Sequence, residues 1–135
     1  MVMSAEEKYG YWLDSAEYDL NVANGLLANG HWLYVAFMCQ QAVEKLVKGL
    51  YVLYVDDDVP RTHRIQAIVL KFESQLPSAV PVETWELFAT LSSCYLNNRY
   101  TDYKQAMASQ IKEQEARALH SQTKEVFAWL LTLKP

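Results

Sequence analysis

The polar residues best suited to chemistry begin with a group that interrupts an apolar stretch. Gln41, Glu44, Lys45 and Lys48 are separated by steps of three and four residues, which places them on one side of an α-helix. A polar strip of this kind could line a binding groove. The same spacing is typical of a solvated helix face with a Glu44–Lys48 ion pair worth about 0.2–0.5 kcal/mol. The sequence favours that simpler interpretation.

A second feature combines two arginines and a histidine in the segment Pro60-Arg61-Thr62-His63-Arg64. Thr62 is a suitable N-cap, so we predict that a short helix begins there. The free N–H groups at a helix N-terminus favour anions, and the neighbouring cations would strengthen the binding of a phosphate. Equally, His63 could be a first-turn residue packed under the core.

A third feature is Arg99, which lies among aromatic residues and an aspartate in the run Tyr95-Leu96-Asn97-Asn98-Arg99-Tyr100-Thr101-Asp102-Tyr103-Lys104. The planar guanidinium group suits a bidentate contact with a phosphate or a carboxylate. The alternative is an Arg99–Asp102 pair that only fixes the turn after a helix. The sequence favours neither interpretation.

Other common catalytic and metal sites have no matching pattern. The glycines are isolated, so there is no glycine-rich phosphate loop. The histidines have no helical ligand spacing, and the acidic residues 56–58 lack the alternating ligands, glycine and distal glutamate of a calcium loop. Cys39 and Cys94 fall in apolar helical patterns, where a buried structural role is expected. We therefore predict no metal and no cofactor.

The elements that position these residues are predicted to be helices. Gly and Pro number four each in 135 residues. Together they make up about half of the average share of about 12%. So few turn-forming residues nearly exclude an all-β fold with many tight turns. Apolar periodicity predicts helices over about residues 4–29, 31–55, 62–76, 82–98 and 109–133. The second is apolar nearly all round and must be buried. We predict one domain, residues 1–135, with an all-α bundle of about five helices around the buried second helix.

The composition gives no global sign of a nucleic-acid-binding or membrane protein. Twelve basic against 16 acidic residues leave a net charge of −4, so RNA binding would depend on a local basic patch. The N-terminus lacks the basic start and apolar stretch of a signal peptide. Glutamine, glutamate and lysine interrupt the most apolar window, residues 32–55, which argues against a membrane span. With two cysteines only, we expect a reducing, cytoplasmic location and no membrane partner.

The three features, in this order, resemble the HEPN domain family over nearly the whole chain. The resemblance rests on Ala16-Glu17-Tyr18-Asp19-Leu20, Gly30-His31-Trp32, residues 41–48, Thr62-His63 and Arg99-Tyr100-Thr101-Asp102. It implies an up-and-down helical bundle that usually forms a homodimer and often acts with a small nucleotidyltransferase as a toxin–antitoxin pair. Four tryptophans and nine tyrosines exceed what a small bundle can bury, which also predicts a homodimer.

The sequence departs from the family pattern at one position that matters for catalysis. Ribonuclease members use an arginine followed a few residues later by a histidine near the dimer interface. Arg99 matches the arginine, but Lys104, Gln105 and Ala106 occupy the positions where the histidine would fall. Metal-free RNA cleavage needs a group that moves protons near neutral pH, and lysine is a poor substitute for histidine.

The sequence leaves three functional hypotheses open. The first is a non-catalytic module that binds a nucleotide, RNA or a partner protein. The second is a metal-independent ribonuclease in which Arg99 works with a relocated base such as His63. The third is a structural protein that holds a nucleotidyltransferase through apolar surface. The missing histidine favours the first and the third. Under the first, the candidate ligand-binding residues are Gln41, Glu44, Lys45, Lys48, His63, Arg99, Tyr100 and Asp102.

Overall fold

The structure, a computed structural model, describes residues 2–96 and 111–135, and all regular structure in these ranges is helical. The described α-helices are α1 (Ala5–Ala28), α2 (Trp32–Tyr54), α3 (Ile65–Val69), α4 (Val82–Ser93) and α5 (Glu113–Leu131), with a 3-10 turn at Glu73–Gln75. The predicted all-α bundle is confirmed. None of these described helices is both long and apolar enough to cross a membrane. The single domain and the cytoplasmic location stay predictions.

A long helical hairpin, α1 with α2, forms one side of the bundle. α1 begins with the capping box that the sequence predicts: Ser4 Oγ accepts the N–H of Glu7 at 3.1 Å, and Glu7 Oε1 accepts the N–H of Ser4 at 3.2 Å. Asn29 is the C-cap of the helix, and Gly30 has a φ of 78°, in the left-handed region that glycine adopts without strain. This turn reverses the chain, so α2 runs back along α1.

α2 is the central helix, and it packs against α1, α3, α4 and α5. Fourteen of its 23 residues are buried, which confirms the predicted buried second helix. Its last residues, 51–54, are helical as predicted rather than a strand. Gln40, Glu44 and Lys48 are buried together with the apolar residues. Buried polar groups need partners, so these three side chains indicate where a site lies.

The helix after the α2 loop is shorter than predicted, and its predicted N-cap is wrong. α3 begins at Ile65 after an Arg64 cap. Thr62 Oγ1 instead accepts the N–H of Arg64 at 3.1 Å and closes a tight turn. After Val69 the chain tightens into the 3-10 turn, yet Phe72 is still buried.

The two C-terminal helices also differ from their predicted bounds. α4 ends at Ser93, earlier than predicted. Ser92 Oγ donates to the Phe88 carbonyl at 2.7 Å and Ser93 Oγ to the Thr90 carbonyl at 2.6 Å, and such hydroxyls weaken a helical ladder. α5 begins at Glu113 and ends at Leu131. Its predicted start near residue 109 lies outside the described residues.

Candidate functional site

Glu44 is the centre of a buried polar cluster on α2. It is only 4% exposed. Gln40 Nε2 donates to its Oε1 at 2.6 Å, and Lys48 Nζ donates to its Oε2 at 2.8 Å. Lys48 balances the carboxylate in a setting where an unpaired charge would be costly. The predicted Glu44–Lys48 pair is confirmed, but the solvated-face interpretation is wrong for both residues.

His63 reaches Glu44 from the loop before α3. Its Nδ1 lies 3.1 Å from Glu44 Oε1 and 3.2 Å from Oε2. Its carbonyl oxygen accepts a 3.2 Å hydrogen bond from Gln40 Nε2. Since an ionised carboxylate only accepts, Nδ1 carries the hydrogen, and Nε2 keeps its lone pair in the neutral ring. The side chain is 47% exposed, and Nε2 has no hydrogen-bond partner among the described residues.

Tyr95, just after α4, fixes the face of the same ring. The His63 and Tyr95 rings are stacked, with centroids 3.6 Å apart and planes 10° from parallel. Phe37 of α2 packs obliquely on Tyr95 at 5.9 Å. The imidazole is therefore held at its edge by a carboxylate and on its face by an aromatic ring.

A cavity of about 520 Å³ opens beside His63, where the start of α1, α2 and the loop after α2 meet. Pockets for small ligands commonly have volumes of about 300–1,000 Å³. Tyr11 and Trp12 provide its aromatic lining. Its basic lining residues are Lys8, Lys48, Arg61 and His63, and its acidic ones are Asp57 and Asp58. Aromatic rings and charged groups of both signs therefore share one cavity.

An ion pair joins two elements that line this cavity. Lys8 of α1 donates a hydrogen bond to Asp57, 49 residues further along the chain. The hydrogen bond, and after it the lysine charge, lowers the pKa of the Asp57 carboxyl. The two side chains are 28% and 61% exposed, so solvent screens their attraction. Arg61 forms no ion pair within the part of the chain that the structure describes.

The structure brings together part of the predicted ligand-binding set. Glu44, Lys48 and His63 cluster directly, and Gln41 joins them through Gln40, whose Oε1 accepts from Gln41 Nε2 at 2.6 Å. Lys45 does not join them: its Nζ lies 2.6 Å from Asp19 Oδ2 of α1, and it is absent from the cavity lining. Consecutive helical residues point about 100° apart, which separates Lys45 from Glu44.

The remaining predicted residues lie in the part of the chain that is not described. Arg99, Tyr100 and Asp102 are outside the described residues, and so is the alternative Arg99–Asp102 pair. The predicted anion site at a helix N-terminus has little support, because α3 has only five residues and its dipole is small.

Sequence reasoning missed several residues of the site. Gln40 gave a signal, because it and Glu44 interrupt an otherwise apolar row on α2. No sequence pattern pointed to Trp12 or Asp57, because only tertiary packing brings α1 and the loop after α2 close to Lys48. Neither residue stands at a helical spacing from the residues that it joins.

Within the described residues, the cysteines and the acidic residues form no second chemical centre. No group of three or more His, Cys, Asp or Glu side chains within residues 2–96 and 111–135 is placed to hold a metal ion. Cys39 and Cys94 are free and buried, as predicted. Burial raises the pKa of the Cys39 thiol to about 12 and also raises the pKa of Cys94. Thiols in this state are poor nucleophiles.

Comparisons with known proteins assign the fold and the family. Two solved structures superpose on the chain. The crystal structure of TT1696 from Thermus thermophilus has a TM-score of 0.79 at 25% identity, covering 93% of this chain and 97% of that one. The structure of ST0689, an archaeal HEPN homologue, has a TM-score of 0.73 at 22% identity, covering 95% and 98%. The comparison with curated proteins found no match.

The sequence itself carries the family assignment. The model of the HEPN domain matches residues 9–133, a range that includes α2, the His63 loop and α5. The fold similarity to an archaeal HEPN homologue agrees with that match. The chain belongs to the HEPN domain family.

Proposed function

We propose that the chain is a non-catalytic HEPN module that binds a nucleotide or RNA in the cavity beside His63. One observation carries this proposal: Tyr11 and Trp12 share a single cavity with Arg61 and His63. Aromatic faces stack on nucleobases, and cationic side chains bind phosphate oxygens. A cavity that offers both suits a ligand built of bases and phosphates.

The charge distribution supports a local contact rather than a broad basic surface. The chain carries a net charge of −4, so long-range attraction to RNA is weak. Lys48 forms an ion pair with Glu44, and Lys8 forms one with Asp57. Arg61, without an ion pair among the described residues, is the cation best placed to meet a phosphate.

A binding assay with two matched arginine variants tests this function. Arg61 lines the cavity, whereas Arg64 is exposed and does not. Charge-assisted hydrogen bonds are worth about 1.5–3 kcal/mol, so Arg61→Ala should weaken binding about 10- to 100-fold. Arg64→Ala, which removes the same charge, should change it little. The readouts are fluorescence anisotropy with single-stranded RNA and thermal shift with nucleotides. No binding by the wild type, or equal losses in the two variants, would contradict the proposal.

The second candidate is a metal-independent ribonuclease, and the Glu44–His63 contact favours it. Glu44 holds Nδ1, which leaves Nε2 as the atom that could accept a proton from an RNA 2′-hydroxyl. The missing family histidine favours the non-catalytic module. A single-turnover assay on unstructured RNA separates the two. Cleavage lost in both His63→Gln and Arg99→Ala would make the ribonuclease the correct function.

We also propose the partners that family resemblance implies, a second copy of the chain and a small nucleotidyltransferase. Large exposed tyrosines on the hairpin, Tyr11, Tyr18 and Tyr34, support an interaction surface. Co-expression with a nucleotidyltransferase encoded beside the gene, followed by size-exclusion chromatography, tests the second partner. Separate elution of the two proteins would contradict it.

A further inference from the structure

We infer that the cavity takes a phosphomonoester, the dianionic phosphate of a mononucleotide or of an RNA 5′-end, and that Asp57 competes with this ligand for Lys8. The inference rests on the proposed function, because it names the ligand chemistry of the same cavity. Its basis is the Lys8–Asp57 pair, in which a cavity cation is held by a carboxylate of the protein itself.

The cations of the cavity differ in how readily they can be released. Lys48 is nearly buried: its side chain is 11% exposed, and the side chain of its partner Glu44 is 5% exposed. Separating that pair would leave a buried charge without a partner, which is costly. Lys8 and Asp57 are much more exposed, at 28% and 61%, and an exposed pair is weak. A ligand can therefore recruit Lys8 but not Lys48.

Two available cations match two ligand charges. Arg61 has no ion pair among the described residues, and Lys8 becomes available once it leaves Asp57. A phosphomonoester carries close to two negative charges near neutral pH, with a second pKa of about 6. An internal RNA phosphodiester carries one charge, which Arg61 alone can balance. The pair thus favours the monoester, which gains more from the second cation.

The cavity has room for one nucleotide unit. Its volume of about 520 Å³ is that of a small-molecule pocket. The lining residue Tyr11 is 68% exposed, and the Trp12 ring centroid lies 6.0 Å from Lys48 Nζ. These rings can stack on a base whose phosphate meets Arg61 and Lys8.

The Asp57 carboxylate opposes phosphate binding once Lys8 has left it. Asp57 stands beside Asp58 in the loop, and both line the cavity. Without Lys8, Asp57 repels a bound phosphate, so its charge lowers affinity twice: it occupies Lys8 and it repels the ligand. Removing this carboxylate should raise affinity, which is the opposite of the loss expected for a residue that merely supports the fold.

The test compares Asp57→Asn with Asp56→Asn, which removes the same charge from a neighbour that does not line the cavity. Isothermal titration with AMP should show binding about two- to fivefold tighter for Asp57→Asn and unchanged for Asp56→Asn. Lys8→Ala should weaken AMP binding, and adding Asp57→Asn to Lys8→Ala should recover only part of the loss, because it removes the repulsion but does not replace the lysine charge. Adenosine, which lacks the phosphate, should bind weakly and respond to neither change. Unchanged or weaker AMP binding by Asp57→Asn, with a normal melting temperature, would overturn the inference.

A second pair of probes identifies the source of the phosphate. An RNA oligonucleotide with a 5′-phosphate is compared with the same sequence ending in a 5′-hydroxyl. Preference for the phosphorylated oligonucleotide supports an RNA end, and tight AMP binding without that preference supports a free nucleotide. Equal binding of both oligonucleotides, with AMP no better than adenosine, would overturn the inference while leaving RNA binding intact. Failure of every probe would contradict the proposed function as well.

Discussion

Tyr95 lies face to face with His63, their ring centroids 3.6 Å apart. This stack joins the segment after α4 to the loop before α3. It also fixes the plane of an imidazole whose Nδ1 is already held by Glu44. The orientation of His63 toward the cavity therefore depends on α4 as well as on α2.

Replacing Tyr95 tests this dependence. Tyr95→Phe keeps the ring and should leave the free energy of unfolding and ligand binding nearly unchanged. Tyr95→Ala removes the stack and half-buried apolar area, and should cost about 2 kcal/mol of stability. Urea unfolding monitored by circular dichroism measures the difference. Equal stability of the two variants would show that the stack contributes nothing.

Replacing only one partner of the buried Glu44–Lys48 pair should destabilise the fold. Glu44→Gln leaves the Lys48 charge nearly buried without a counter-charge and should lower the free energy of unfolding by about 3 kcal/mol. The double variant Glu44→Gln/Lys48→Met removes both charges and should recover much of that loss. Chemical denaturation of the three proteins tests this. A double variant as unstable as the single one would contradict an electrostatic cause.

Stability should fall on mild acidification because of His120. Its Nε2 lies 2.5 Å from Asn24 Oδ1 across the α1–α5 contact. Burial, and less strongly the Lys124 charge, lowers the pKa of His120 from 6.5. The unfolded chain therefore takes up the proton first, so stability drops as pH falls below about 6.5, until the lowered native pKa is reached.

The variant His120→Gln provides the measurement. Well above pH 6.5 the histidine is neutral in both states and adds no slope. Below it, the urea midpoint of the wild type should fall more steeply with pH than that of His120→Gln. Parallel curves for the two proteins would show that another group causes the acid sensitivity.

Arg99 carries a prediction that rests on the sequence and on the family resemblance, since it lies outside the described residues. Arg99→Ala should weaken nucleotide or RNA binding about 10- to 100-fold, the worth of one charge-assisted contact. Lys112→Ala, at the cap of α5, should change binding little. Thermal-shift titrations with ATP, ADP, AMP and phosphate measure both. Equal losses would assign Arg99 to the turn rather than to the ligand.

The chain should be a homodimer in solution. Tyr11, Tyr18 and Tyr34 are 68%, 69% and 46% exposed, a large aromatic area for one small protein to leave in water. Multi-angle light scattering at micromolar concentration should give twice the mass of 15.6 kDa. A monomeric mass would contradict the prediction.

Local patterns in the sequence predicted the fold well. The Ser4–Glu7 capping box and the buried α2 follow from cap chemistry and from apolar periodicity, which act over a few residues. The start of α3 and the end of α4 differ from their predicted positions where hydroxyl groups bond the main chain: Thr62 closes a turn before α3, and Ser92 and Ser93 donate to carbonyls of α4.

The candidate site was predictable only where its residues share one helix. Glu44 and Lys48 are one helical turn apart, and their pairing could be predicted. His63 meets Glu44 from 19 residues away, and Lys8 meets Asp57 from 49. Such contacts depend on how the helices pack against each other, and the spacing of residues along the sequence does not predict that packing.

Gly49 has a consequence for the dimensions of the cavity. A Cβ at this position would lie 3.0 Å from Trp12 Cβ and 3.2 Å from Tyr9 Cδ1, closer than these atoms pack comfortably. Any larger residue would push α1 outward and carry Trp12, a lining residue, away from Lys48. The absence of a side chain at Gly49 therefore lets the main chains of α1 and α2 lie close together, and the distance between these two helices sets the width of the cavity between Trp12 and Lys48.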